Sequence, residues 1–198
     1  MQHYILAITG ASGVVYGQRL ARFFEANKIP VYLIVSDHGK MVIGHELGIS
    51  LAQAKTSDLA HKLLGKKSTY LTPLDMRDMM APVASGSRRI KGMAIVPCSM
   101  STVSAVAHGT AKTLLERAAD VMLKERRKLV IVPRETPFST LHLKNLLSLS
   151  EMGVQVIPAM PAFYTKPKNI NDMVDFVVGR VLDALEIEHD LYKRWKEQ

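Results

Sequence analysis

Short runs rich in apolar and β-branched residues recur at 4–9, 31–35, 93–96, 129–132 and 154–157. Runs without polar alternation mark strands that are covered on both faces, as in a parallel sheet. Between the runs the apolar period changes. Gly13, Gly17, Leu20 and Phe24 stand at i, i+4, i+7 and i+11, one helical stripe that stops before a turn at 27–30. A short helix carrying Glu46 follows Ser36, another spans 102–108, and a longer one spans 112–128 with Leu114, Leu115, Ala118, Val121 and Met122 on one face. Two more are predicted near 139–152 and 171–185. Alternating strands and helices predict an α/β chain built on a doubly wound parallel sheet. Only the stretch 56–87 breaks the rhythm. Its methionines at 76, 79 and 80, with Pro73 and Pro82, predict irregular structure or an excursion from the sheet.

In open sheets of this kind ligands bind outside the carboxyl ends of the strands. The candidates are therefore the residues that directly follow each run: 10–13, 36–39, 97–102, 134–135 and 158–164.

Composition changes this picture in three places. With 198 residues, 47% of them hydrophobic, the chain has enough apolar material for a core and reads as one domain over 1–198. No segment approaches the ~18 apolar residues of a membrane span, and the first run is too short for a secretory signal, so a soluble cytoplasmic protein is expected. Cys98 is the only cysteine, which excludes an intrachain disulfide and fits a reducing compartment. The net charge of +8 draws anions. The one dense basic run, 124–128, reads as a helix end, where cations meet the negative pole of the dipole. No nucleic-acid-binding motif accompanies it, so phosphorylated small molecules are the better match. The seven histidines fall in no metal-binding spacing, and no metal site is expected.

Gly10, Ala11, Ser12 and Gly13 form a turn between a strand and a helix start, where glycine lets backbone approach a phosphate and Ser12 adds a donor. By itself this is equally a plain turn with Ser12 as helix cap. Ser99, Ser101 and Thr102 place hydroxyls before a helix, suited to a phosphate or a polar ring edge. Cys98 beside them reads as a small buried hydrophobe. Arg117 and Lys124 lie two helical turns apart with Asp120 between, a shared face that is equally a solvated ion-paired one. Arg134 and Glu135 follow a buried strand end, where Arg offers a phosphate fork and a partly desolvated Glu moves a proton. Glu46, Tyr164 and Arg180 stay ambiguous on local grounds, Arg180 because an arginine in an apolar stripe usually snorkels.

Several longer strings are more specific: TGASG (9–13), ASGS (84–87), PCSM (97–100), ERAADVMLKERR (116–127), VPRETPF (132–138), PAFY (161–164), DFVVGR (175–180) and RW (194–195). Together they span nearly the whole chain and resemble the UbiX-like flavin prenyltransferases. The resemblance implies a flavodoxin-like (Rossmann-like) three-layer sandwich assembled as a homo-oligomer, a dodecamer in that family, with sites at subunit junctions. It implies transfer of the dimethylallyl group of dimethylallyl phosphate to reduced FMN, release of phosphate, and prenylated FMN as product for UbiD-type decarboxylases. By position, Gly10, Ala11, Ser12, Ser36, Ser99, Met100, Ser101, Thr102 and Arg134 match FMN contacts. Ser85, Arg117, Lys124, Tyr164, Arg180 and Trp195 match the allylic phosphate site. Glu135 is the implied proton mover, with Lys124, Glu46 and Ser12 beside it in the catalytic set, and Trp195 matches a tryptophan that closes from a neighbouring chain.

Two rivals share the expected architecture. An FMN-dependent cysteine decarboxylase calls for a histidine after the second strand, for which His45 is the available residue, and an asparagine that ASGS lacks. A non-enzymatic flavin carrier has no use for Glu135 or Lys124.

Overall fold

In the computed structural model, which describes residues 2–195, six parallel strands form one sheet in the order β3-β2-β1-β4-β5-β6. The strands are β1 (His3–Ile8), β2 (Val31–Val35), β3 (Leu71–Leu74), β4 (Ile90–Cys98), β5 (Lys128–Pro133) and β6 (Gln155–Val156). All five apolar runs are strands. The order reverses between β1 and β4, so the crevice at the top of that pair is the topological switch point where ligands bind in open sheets.

Alternate side chains of each strand face opposite layers, as a pleat of period two requires. Leu6, Ile8, Leu33, Val35, Ala94, Val96, Val130 and Val132 pack into one core, with helices α1 (Val14–Ala26), α3 (Leu59–Leu64) and α7 (Ile170–Ala184). Ile5, Ala7, Ile34, Met93, Ile95, Leu129 and Ile131 pack into the other, with α4 (Met100–Ala107), α5 (Leu114–Lys124) and α6 (Thr140–Glu151). The result is a doubly wound three-layer sandwich. A further helix, α2 (Asp37–Leu47), lies over the β1–α1 turn, and its Gly39 lies so close to Ile8 that an added Cβ would sit 2.7 Å from the Ile8 carbonyl oxygen. No helix among the described residues is long and apolar enough to cross a membrane.

The stretch 56–87, expected to be irregular or to leave the sheet, instead contributes a strand to it. It holds α3, two short 3-10 turns and β3, which adds to β2 as the outermost strand of the sheet. The strand is four residues long and contains Pro73, which an edge tolerates and a central strand does not. That is why it carries no apolar run.

Glu25, near the end of α1, ties this stretch to the body. Its carboxylate accepts from Ser68 Oγ (2.7 Å), Thr69 N (2.9 Å) and Tyr70 N (3.1 Å). Burial opposes its ionisation, but those bonds and the Lys66 charge outweigh burial and hold the carboxyl below its ordinary value. A carboxyl depressed in the folded state stabilises above its unfolded pKa and loses that contribution as pH falls through the folded one. Glu25→Ala is thus expected to cost ~1–3 kcal/mol at neutral pH. In urea titrations the deficit against wild type should shrink as the pH is taken below the usual carboxylate range.

Candidate functional site

The tops of β1 and β4 are tied by Thr9, a buried residue to which the sequence reading assigned no role. Its hydroxyl donates to the Pro97 carbonyl (2.9 Å) and accepts from Ser99 N (2.8 Å). This bond sets the 10–13 turn beside the 99–102 turn, so two of the expected ligand loops share one crevice.

Gly13, the N-cap of α1, lies in the left-handed region, φ 96°, and has no side chain of its own to meet the first amides. Ser12 is exposed and is not the cap. The free amides are met from across the chain: Glu46 accepts from Gly13 N (2.9 Å) and Val14 N (3.2 Å). A carboxylate thus sits where a helix N-terminus favours an anion. Gly10 is required by contact rather than by φ, since a Cβ there would come within 2.4 Å of the His38 Cβ on α2.

Ser36 caps α2, accepting from Gly39 N at 3.0 Å. Ser99 caps α4, accepting from Thr102 N at 3.3 Å, and its hydroxyl lies 3.0 Å from that of Thr102. The helix therefore starts at Met100, two residues earlier than the spacing predicts. Met100 and Thr102 turn inward and are buried, whereas Ser101 is exposed. Of this segment, Ser99 is half-buried and Ser101 exposed. Cys98 is fully buried at the end of β4, and burial pushes its thiol far up, as expected of a core residue.

Past the end of β5 the adjacent Arg134 and Glu135 form no ion pair with each other. Glu135 accepts from the amide of Thr136 at 3.1 Å. The Nε of Arg134 is buried and is the one buried side-chain polar atom without a hydrogen-bond partner among the described residues. A buried N–H costs free energy until an acceptor meets it. An acceptor-rich ligand such as a phosphate or a flavin ring fits that requirement, and Ser99, Ser101 and the 10–13 backbone stand at the neighbouring strand ends.

The remaining predicted residues lie elsewhere on the chain. Arg117 pairs with Asp120 (2.6 Å) and donates to the Ala84 carbonyl (3.1 Å), while Lys124 pairs with Glu125 (2.6 Å), not with Asp120. An added Cβ on Gly86 would lie 2.8 Å from Lys124 Nζ, so Ser85 neighbours this cluster. Lys124 closes α5 four residues before β5 opens, and Glu135 follows its far end. Six residues of strand separate the two by roughly 20 Å. Arg180 sits near the lower end of α7, because Glu186, two residues past that helix, pairs with Lys128 at the start of β5. Tyr164 packs edge-on against Trp195 of its own chain, ring centroids 5.2 Å apart at 90°. A pocket of about 1100 Å³ opens there rather than over the strand ends, lined by Tyr164, Trp195, Lys166, Lys168 and Lys193. One chain therefore presents the predicted residues in three groups: the strand-end crevice, the Arg117–Lys124 cluster and the surroundings of Tyr164 and Trp195.

A family profile described as Flavoprotein matches residues 1–182. The flavin prenyltransferase UbiX of Alkalihalophilus pseudofirmus is 47% identical over 97% of this chain and 95% of its own length. That of Methanocaldococcus jannaschii is 47% identical over 96% and 97%. The chain belongs to the UbiX-like flavin prenyltransferase family. Among solved structures, a UbiX protein in complex with FMN and dimethylallyl pyrophosphate superposes with a TM-score of 0.86 at 36% identity, over 100% of this chain and 98% of that one. A dodecameric FMN-dependent UbiX-like protein from Escherichia coli O157:H7 superposes at 0.85 with 38% identity over the full length of both. An FMN-dependent cysteine decarboxylase reaches 0.60 at 11% identity over 91% of this chain and 98% of that one, a likeness of fold alone. In this chain the strings 9–13, 97–100 and 132–138 lie at the carboxyl ends of β1, β4 and β5.

Proposed function

We propose that this chain is a flavin prenyltransferase that joins the dimethylallyl group of dimethylallyl phosphate to reduced FMN and releases phosphate. The observation that carries the reading is the unpartnered, buried Nε of Arg134 at the carboxyl edge of the sheet, in a chain of this family. Reduced FMN, when bound, supplies the electron-rich ring that takes the allyl group.

The chain's own residues do the rest. Arg134, Ser99, Ser101 and the backbone of 10–12 hold the flavin at the switch-point crevice, with Ser36 supporting α2 behind them. Arg117, Lys124, Arg180 and the Tyr164 hydroxyl hold the allylic phosphate, with Ser85 beside Lys124. Cleavage of the allyl–oxygen bond builds charge on phosphate while positive charge develops on carbon, and preorganised cations stabilise that transition state. Glu135 moves the proton on the phosphate side. Glu46, already at the N-terminal amides of α1, stands beside the crevice as a second acid. Tyr164 and Trp195 exclude water, which would capture the allyl cation.

Because Lys124 and Glu135 are far apart in one chain, we infer that each site is shared between copies, in a homo-oligomer of the dodecameric kind. We infer also that the product passes to a UbiD-type decarboxylase. The deciding experiment incubates the purified protein anaerobically with reduced FMN and dimethylallyl phosphate and weighs the flavin. A flavin heavier by one isoprenyl unit is expected; unaltered FMN with folded protein sinks the reading.

A further inference from the structure

Away from the strand ends, one carboxylate gathers four donors. Asp183 accepts from Tyr192 Oη (2.5 Å), Arg194 Nη2 (2.7 Å), Arg180 Nη1 (3.1 Å) and His189 Nε2 (3.1 Å). Three of these partners lie beyond α7, on the segment that follows it. His189 is almost wholly buried, with a side-chain exposure of 1%. Its Nδ1 accepts from Leu191 N at 3.2 Å, so the neutral ring is satisfied at both nitrogens while Nε2–H points to Asp183. Burial opposes charge on Asp183, but the bonds from Tyr192, Arg194 and His189 outweigh it and hold the carboxyl below its ordinary value.

The helix is shaped to receive this segment. Gly179 faces it, and a Cβ there would lie 2.5 Å from the Tyr192 ring and 2.7 Å from His189 Cε1. From the seat, rings run in contact to the pocket. Tyr192 leans on Phe176 (5.1 Å), Phe176 meets Tyr164 edge-on (5.9 Å), and Tyr164 meets Trp195. The segment also supplies Lys193 and Trp195 to the pocket wall opposite Tyr164, Lys166 and Lys168. With Arg194 as a fourth cation against Asp172 and Asp190, the lining keeps an excess of positive charge beside its aromatic rings, matched to an anion that carries a small apolar tail.

We propose that Asp183 is the positioning residue of this pocket: it straps residues 187–195 onto α7, beside the Arg180 guanidinium that it also holds, and thereby sets Tyr164 and Trp195 for the allylic phosphate. The inference rests on the prenyltransferase reading for the identity of the donor, but the strap itself does not. Asp183 touches no reacting atom; it acts through the residues it gathers.

Trp195 is the only tryptophan in the chain, so its emission reports the strap directly. In the assembled enzyme, Asp183→Asn is expected to shift that emission to the red and to open it to acrylamide quenching. Flavin affinity should stay as in wild type, while KM for dimethylallyl phosphate rises on the order of 10- to 100-fold, the effect of a displaced positioning group. Gly179→Ala removes no charge yet crowds the seat, and should give the same pair of changes. It carries the test if Asp183→Asn does not fold. Wild-type emission and wild-type KM in a folded variant would overturn the proposal, and so would a shifted emission with an unchanged KM. If the wild-type protein prenylates no flavin, the functional reading fails and the link to the donor falls with it, whereas the emission change would still mark the strap.

Discussion

Glu135→Gln is expected to lower prenyl transfer by about two to four orders of magnitude, the range of a lost general acid–base group, with FMN binding unchanged. Glutamine keeps the shape and the acceptor oxygen that meets the Thr136 amide but cannot move a proton. Lys124→Met should cost about 10²- to 10³-fold by removing a preorganised cation from the developing phosphate charge. The larger expectation concerns the two variants together. Lys124 and Glu135 stand at opposite ends of β5, so a site that uses both draws them from different copies. Co-expressed chains, each carrying one substitution, then form about a quarter of their sites with both native residues, because the copies of a homo-oligomer mix at random. Activity recovered from two inactive parents, measured as prenylated flavin by mass spectrometry, is the expected result. A mixture as inactive as its parents would mean that no site draws the two residues from different copies.

Arg134→Met should separate binding from stability. FMN affinity is expected to fall about 10- to 100-fold, since hydrogen bonds from a charged donor are worth ~1.5–3 kcal/mol. The unliganded protein should melt at the same temperature as wild type or slightly higher. The buried Nε has no partner to lose, and methionine fills similar space without a polar atom that needs one. Flavin fluorescence titration gives the affinity, and thermal melts with and without FMN give the stability. An equal fall in both would mean that Arg134 is a structural residue and that the crevice holds its ligand by other means.

Much of the site list was legible because motifs sit at strand ends, and strand ends follow from local apolar runs. The run at 129–132 alone puts Arg134 and Glu135 at the carboxyl edge. The glycine turn was legible as a turn, but its chemistry was not. Ser12 looked like the cap, whereas Gly13 adopts φ 96° and the amides go to Glu46, 33 residues away. Asp120 looked like the partner of Lys124 by helical spacing, whereas it takes Arg117, three residues back, and Lys124 takes its neighbour Glu125. Met100 and Thr102, matched to flavin contacts by resemblance, are both buried, on a helix that starts two residues earlier than the spacing predicts.

The amino-acid order by itself determined the layered α/β architecture, the sheet's ligand edge and the family, because periods of two and 3.6 are local and need only neighbouring residues. It could not show β3, where a proline in an edge strand hides the pattern, nor the Thr9 bond to Pro97 across 88 positions. Only the tertiary structure decided which cations share a surface, that Arg134 keeps an unmet donor, and that Asp183 holds His189, Tyr192 and Arg194. Those facts depend on which distant segments the packed sheet brings within hydrogen-bond reach, and no spacing along the chain encodes that distance.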